Sequence, residues 1–265
     1  MARADVLILS GYGINCEVET GWAFELAGAN RVVIAHINRV ISGEISLDDF
    51  GILVFPGGFS FGDHISSGRV LGLKVRYQLG PQITSFVKSG RLVLGICNGF
   101  QVLVKTGLLP GDPETVFAPQ KVTLAHNDSA RYEDRWVTLR ANPENKSPFL
   151  RDVGLMACAV RHGEGKFLAT EHEMARIKTY HLIAFQYVDK NGFPTQTYPL
   201  NPNGSEYAIA GITNRQGNIL GLMPHPEVFV VKTHHPHWTR LPDLAEEGAG
   251  LRIFRNAVDF VRNEL

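Results

Sequence analysis

Short, largely apolar runs punctuate the first hundred residues, at Val6 to Leu9, Arg31 to Ala35, Ile52 to Phe55 and Leu92 to Leu94. Runs of this length without polar alternation predict strands of a parallel sheet that is covered on both faces. Helical spacing fills the intervals: Glu17 to Ala27, with Val18, Trp22, Phe24 and Leu26 among its apolar residues, and 69–88, interrupted at Pro81. A further helical pattern starts at Phe100. Strand and helix in alternation predict an α/β fold, a central mostly parallel sheet flanked by helices. Functional groups in such sheets gather beyond the carboxyl ends of the strands.

The pattern then changes. Lys121 to Leu124 and Arg135 to Leu139 mix polar and apolar residues, which predicts half-exposed antiparallel strands. Ile183 to Tyr187, Tyr207 to Ile212 and Asn218 to Met223 follow, interrupted by the turn-rich Asn201-Pro202-Asn203-Gly204-Ser205. Residues 246–263 predict a closing helix with Leu251, Phe254, Val258 and Val261 on one face. Neither a repeat nor a flexible linker divides the 265 residues, so 1–265 is predicted to form a single domain with a substantial core.

Composition narrows the partners. Lys plus Arg and Asp plus Glu both number 26, and no basic stretch stands out, so neither nucleic acid nor an anionic membrane is an expected partner. No apolar run reaches membrane-spanning length, and the run at Val6 to Leu9 is too short for a secretory signal. The three cysteines, Cys16, Cys97 and Cys158, are odd in number and far apart, which fits neither a disulfide framework nor a zinc site. A reduced, cytoplasmic setting is expected, in which a thiol nucleophile survives.

Cys97 carries the chemistry. In Leu94-Gly95-Ile96-Cys97-Asn98-Gly99-Phe100-Gln101 it stands between two glycines where a strand meets a helix, the thiol counterpart of a nucleophile elbow. The following helix directs free N–H groups and a positive dipole end at the sulfur, which favours thiolate. In Pro224-His225-Pro226-Glu227 the flanking prolines favour extended backbone, and residues two apart in an extended segment share a face. Glu227 is therefore expected to orient His225 as the base. Pro56-Gly57-Gly58-Phe59 follows a strand, and the N–H groups of Gly58 and of Asn98 are the expected oxyanion donors.

Other motifs carry less. Gly11-Tyr12-Gly13-Ile14-Asn15-Cys16 imitates a dinucleotide fingerprint, yet Cys16 replaces the third glycine and no acidic residue ends the second strand. No phosphate-binding loop of the G-x-x-x-x-G-K-[ST] type occurs, so ATP chemistry is expected on another chain. His234-His235-Pro236-His237 lacks the partners that would complete a metal site, and no metal is expected. Cys16 has no base near it in sequence, and Cys158 reads as core.

The elbow and the His-x-Glu pair together resemble the class I (triad) glutamine amidotransferases, whose fold is flavodoxin-like. Gly13-Ile14-Asn15-Cys16-Glu17, Pro56 to Asp63, His162-Gly163-Glu164-Gly165 and Asn201 to Ser205 resemble the branch that supplies the glutaminase of phosphoribosylformylglycinamidine synthase. The resemblance covers nearly the whole chain. It implies that Cys97 forms a thioester with L-glutamine, with His225 as base, Glu227 as its orienting group, Gln101 near the bound glutamine, and His162 and Glu164 by the glutamine site or the subunit interface. It also implies a synthetase subunit as partner, with or without a small accessory subunit. That partner would hold ATP and Mg²⁺ and convert formylglycinamide ribonucleotide to formylglycinamidine ribonucleotide in purine (IMP) synthesis. Residues 114–140 and Lys232 to Arg240 lengthen the chain and resemble the amidotransferase end of the large single-chain synthases. The rival readings are a stand-alone thiol hydrolase or peptidase on a related sheet, and a non-catalytic module. The second would have shed a triad member, and all three are present.

Overall fold

A computed structural model describes residues 3–111 and 115–265 of the chain. Met1, Ala2 and the start of the 114–140 stretch lie outside the described residues. The first half alternates as expected: β1 (Asp5–Ser10), α1 (Glu17–Leu26), β2 (Arg31–His36), α2 (Ile37–Ile41), β3 (Ile52–Phe55), α3 (Arg69–Gln78), α4 (Gly80–Lys88), β4 (Leu92–Ile96) and α5 (Asn98–Thr106). The second half runs β5 (Val122–Ala125), β6 (Glu133–Ala141), β7 (Leu155–His162), β8 (Lys166–Ala169), α6 (Glu171–Thr179), β9 (Ile183–Tyr187), β10 (Ile209–Thr213), β11 (Ile219–Leu222) and α7 (Leu251–Glu264).

Nine strands form one mixed sheet in the order β2-β1-β3-β4-β11-β10-β9-β6-β7. The pairs from β2 to β11 are parallel, and those from β11 to β7 antiparallel. The two inner strands β3 and β4 are buried at every position, as their apolar runs required, whereas edge strand β2 is only partly covered. The mixed pattern at Lys121 to Leu124 yields a strand, but β5 leaves the main sheet and pairs with β8 in a separate ribbon.

Helices α1 and α7 pack together, Phe24 meeting Phe254 edge to face at 5.0 Å, and α3 packs on α5. The pattern located α1 correctly. Thr20, Gly21, Ala23 and Phe24 are the buried positions, while Val18 is 68% exposed and Trp22, also exposed, has only the His234 ring packed beside it. The break expected at Pro81 comes just before it, with Pro81 in the first turn of α4, where its missing N–H costs nothing. The closing helix begins at Leu251, later than 246, because Gly248 and Gly250 lie against the 226–229 turn. A Cβ there would come within 2.3 Å of the Phe229 carbonyl and 2.0 Å of the Pro226 carbonyl.

Candidate active site

Sheet order decides which distant residues meet. β4 lies between β3 and β11, all parallel, with Ile96 opposite Leu222 and Gly95 opposite Phe55. The chain leaving β4 at Cys97 therefore emerges beside Gly57-Gly58 on one flank and the 223–227 segment on the other. The Cys97 N–H donates to the Leu222 carbonyl at 2.8 Å, and the His225 N–H to Ala159 on β7, also at 2.8 Å. The loop after β1 closes the third side, with the N–H groups of Asn15 and Cys16 both donating to the Gly57 carbonyl.

The elbow is strained at the nucleophile itself. Cys97 has φ 51° and ψ −106°, outside the favoured regions for a side-chain-bearing residue. The flanking glycines permit close packing instead: a Cβ on Gly99 would lie 1.8 Å from the Phe55 carbonyl oxygen, and one on Gly95 would lie 2.5 Å from Leu103. Helix α5 thus presses onto the sheet and aims its N-terminus at Cys97. The thiol is buried and donates to the Arg161 carbonyl at 3.5 Å.

His225 and Glu227 are both buried, and His225 Nδ1 lies 2.6 Å from Glu227 Oε1. Their contact was expected from an extended segment, but residues Pro226–Val228 form a 3₁₀ turn, and the turn brings the carboxylate back to the ring. Burial alone would lower the His225 pKa. The Glu227 charge, together with charge and contacts from Cys97 and a contact from Cys16, outweighs it and leaves the pKa well above the ordinary value. The imidazolium is thereby favoured, with Nε2 free of a hydrogen-bond partner among the described residues.

The N–H groups of Gly58 and Asn98 find no acceptor among the described residues, which leaves both open to a ligand. Asn98 holds the oxyanion loop in place: its Oδ1 accepts from the Ser60 N–H at 3.2 Å and its Nδ2 donates to Gln101 at 2.8 Å. Gly58 has φ +146°, and a Cβ there would stand 2.7 Å from Ile14 Cα. Gly58→Ala is expected to cost about 10²-fold in glutaminase turnover by displacing that N–H, as steady-state glutamate release would show.

Gln101, His162 and Glu164 gather around a cavity of about 150 Å³ that also reaches Cys97, Asp63 and Arg161. Gln101 donates to the Glu164 carbonyl at 2.6 Å, and the Glu164 carboxylate accepts from the Ser67 N–H. Asp63 is held protonated to higher pH than usual by burial, with the nearby Glu164 charge adding to it. His162 lines this cavity with its ring nitrogens turned to the protein. Its Nδ1 meets Asn127 at 3.1 Å and its Nε2 meets Asn203 at 3.4 Å, so both ring nitrogens are occupied. Burial, reinforced by the His225 charge, pushes its pKa down to about 3, and it stands as a neutral wall.

Asn203 also bonds Tyr187 Oη and Ser205 Oγ, so Asn201 to Ser205 supports the pocket from below. Asn203→Ala is expected to destabilise the fold by about 2 kcal/mol, measured by urea denaturation, because it leaves buried partners unpaired. Asp63, Arg161, Tyr132 and Asn127 were not singled out as site residues. Only the Pro56 to Asp63 motif pointed toward any of them.

Cys16 corrects a further expectation. It has no base nearby in sequence, yet a Cβ on Gly57 would meet His225 Cε1 at 2.8 Å and Cys16 Sγ at 3.1 Å, which places thiol and ring side by side. Burial raises the Cys16 pKa, partly offset by His225, so it remains a thiol. Ligand-type atoms of Cys16, His225 and Glu227 lie within 4.8 Å of one another, the one such group among the described residues. Nδ1 is committed to Glu227, which suits proton transfer. Cys158 is fully buried core. His234 and His235 pack on Trp22 and Trp136, with ring centroids 5.6 and 5.1 Å apart.

A strained thiol at the end of a central parallel strand, served by a histidine from the next strand, defines an α/β enzyme of the acyl-transfer class. The CobB/CobQ-like glutamine amidotransferase domain matches residues 3–261, and the chain belongs to that family. It is 44% identical over 262 residues to the phosphoribosylformylglycinamidine synthase subunit PurQ of Dehalococcoides mccartyi, covering 99% of each chain. The subunit of the same name from Methanococcus maripaludis is 40% identical over 265 residues, covering 96% of both. Among solved structures, PurLQS from Thermotoga maritima matches with a TM-score of 0.73 at 26% identity, covering 98% of this chain and 99% of that one.

Proposed function

We propose that this chain is the glutaminase subunit of phosphoribosylformylglycinamidine synthase. It hydrolyses L-glutamine at Cys97 and delivers ammonia to a synthetase subunit. The carrying observation is the buried Cys97–His225–Glu227 array beside a pocket with open N–H groups, in a chain matched over its length by subunits of that enzyme. Cys97 gives its proton to His225 Nε2 as Sγ attacks the side-chain amide carbon, while the Gly58 and Asn98 N–H groups stabilise the oxyanion. As the C–N bond breaks, His225 Nε2–H protonates the leaving nitrogen and ammonia departs. His225 then takes a proton from water, whose oxygen cleaves the thioester to glutamate, and passes that proton to the departing sulfur to restore the thiol. Glu227 holds Nδ1–H and stabilises the imidazolium throughout.

The cavity beside Gln101 suits the amino-acid end of glutamine, with the Glu164 carboxylate toward its ammonium group. The whole chain acts as one amidotransferase domain in this reading. ATP and Mg²⁺ belong to the synthetase partner, which converts formylglycinamide ribonucleotide to formylglycinamidine ribonucleotide. A cytoplasmic setting accompanies that pathway, and among the described residues no helix is long and apolar enough to cross a membrane. Mass spectrometry of the chain with glutamine and synthetase tests the reading. A glutamyl adduct on Cys97 is expected; an unmodified Cys97 during turnover, or an adduct elsewhere, overturns it.

A further inference from the structure

Two separate cavities meet at Cys97. Gly58, Phe59, Cys97, Tyr132 and Arg161 border both. Gln101 and Glu164 border only the smaller one, described above. The larger, about 250 Å³, is bordered instead by Asn15, Cys16, Glu19 and His225. The exposed rings of Phe59 and Tyr132, with centroids 6.2 Å apart, stand where the two adjoin.

The chemistry gives the two spaces different occupants. When the amide C–N bond breaks, the glutamyl group stays covalently on Cys97 and keeps the Gln101–Glu164 cavity filled. The nitrogen that leaves has just taken its proton from His225 Nε2. That atom is buried, has no hydrogen-bond partner among the described residues, and belongs to a ring that borders the larger cavity and not the smaller. Ammonia is therefore released on the Cys16 side, with its other exit blocked by the acyl group. The Cys16 thiol beside the ring is a poor competitor for its proton, since burial keeps it neutral. Asn15 at the rim is exposed, and Glu19, in the first turn of α1, offers a carboxylate to the departing nitrogen.

We infer that the cavity bordered by Asn15, Cys16, Glu19 and His225 is the vestibule through which ammonia leaves the thioester site and hydrolytic water enters it. The inference rests on the amidotransferase reading above and adds the route and its residues to it.

The test fills the vestibule in the assembled complex with its synthetase, using Cys16→Leu and, from the α1 side, Glu19→Trp. Synthesis from glutamine is expected to fall at least about tenfold relative to synthesis from added ammonia, a difference of about 1.4 kcal/mol in barrier. The glutamyl adduct on Cys97 is expected to accumulate, because water is excluded by the same route. An unchanged ratio of glutamine-dependent to ammonia-dependent synthesis overturns the inference. So does a fall without adduct, which marks damage to His225. If Cys16→Leu does not assemble, Glu19→Trp decides by the same readouts. A wild-type complex that forms no Cys97 adduct overturns the amidotransferase reading instead, which keeps the two failures distinct.

Discussion

Cys97→Ala is expected to abolish glutamine-dependent synthesis by the reconstituted complex while synthesis from added ammonia continues at the wild-type rate. The loss should be on the order of 10⁴ to 10⁶, as for removal of the nucleophile from a catalytic triad. Alanine keeps the packing of the elbow, because the one hydrogen bond the thiol donates among the described residues, to the Arg161 carbonyl, is weak. The strained φ of 51° belongs to the turn between β4 and α5 and persists with alanine. Equal loss of both activities in a folded variant would contradict the assignment. A stand-alone thiol hydrolase makes the opposite prediction, since its Cys97 would cleave peptides or esters and resist labelling by a glutamine-mimicking diazoketone.

Glu227→Gln should be the second most damaging change, lowering glutaminase turnover by about 10² to 10⁴. Glutamine can still accept a hydrogen bond from Nδ1–H, so ring orientation survives and the charge alone is removed. Glu227 is the largest of the influences that raise the His225 pKa against the effect of burial. Without it the pKa falls, the imidazolium is lost at lower pH, and the alkaline limit of activity moves toward acid. The sign for stability follows from the same shift. A raised folded-state pKa adds stability that is complete below the unfolded value near 6.5 and lost as pH rises through the folded value. Wild type should therefore exceed the variant most in weakly acidic solution, where paired urea titrations at several pH values would show the gap. An unmoved alkaline limit would exclude charge as the role of Glu227.

Much of the site was legible in the sequence because its chemistry is local. A thiol between glycines at a strand end, a histidine two residues from a carboxylate, and a Pro-Gly-Gly turn each announce themselves within a few positions. The glycines at 95 and 99 provide close approach of α5, while the strain lies on Cys97. One local explanation differs from the structure. Glu227 reaches His225 through a 3₁₀ turn, because Pro226 is favoured in the first turn of a helix as well as in extended chain.

Long-range features were less legible for a common reason. The roles of Cys16, Asn127 and Asn203 come from contacts made across the fold, and nothing in their immediate neighbours encodes them. Cys16 meets His225 only because β1 and β11 deliver their loops to the same edge, flanking Gly57. Asn127 and Asn203 hold His162 from segments 35 and 41 residues away, fixing its ring as a neutral support in the cavity wall.

The sequence by itself determined the buried parallel strands, the thiol elbow and the candidate base with its carboxylate, since periodicity and short-range chemistry suffice for these. Tertiary structure alone decided the strand order that unites them, the separate β5–β8 ribbon, the buried face of α1, and the two cavities that meet at Cys97. These depend on which surfaces pack together, and packing is settled by the whole chain at once rather than by any one segment.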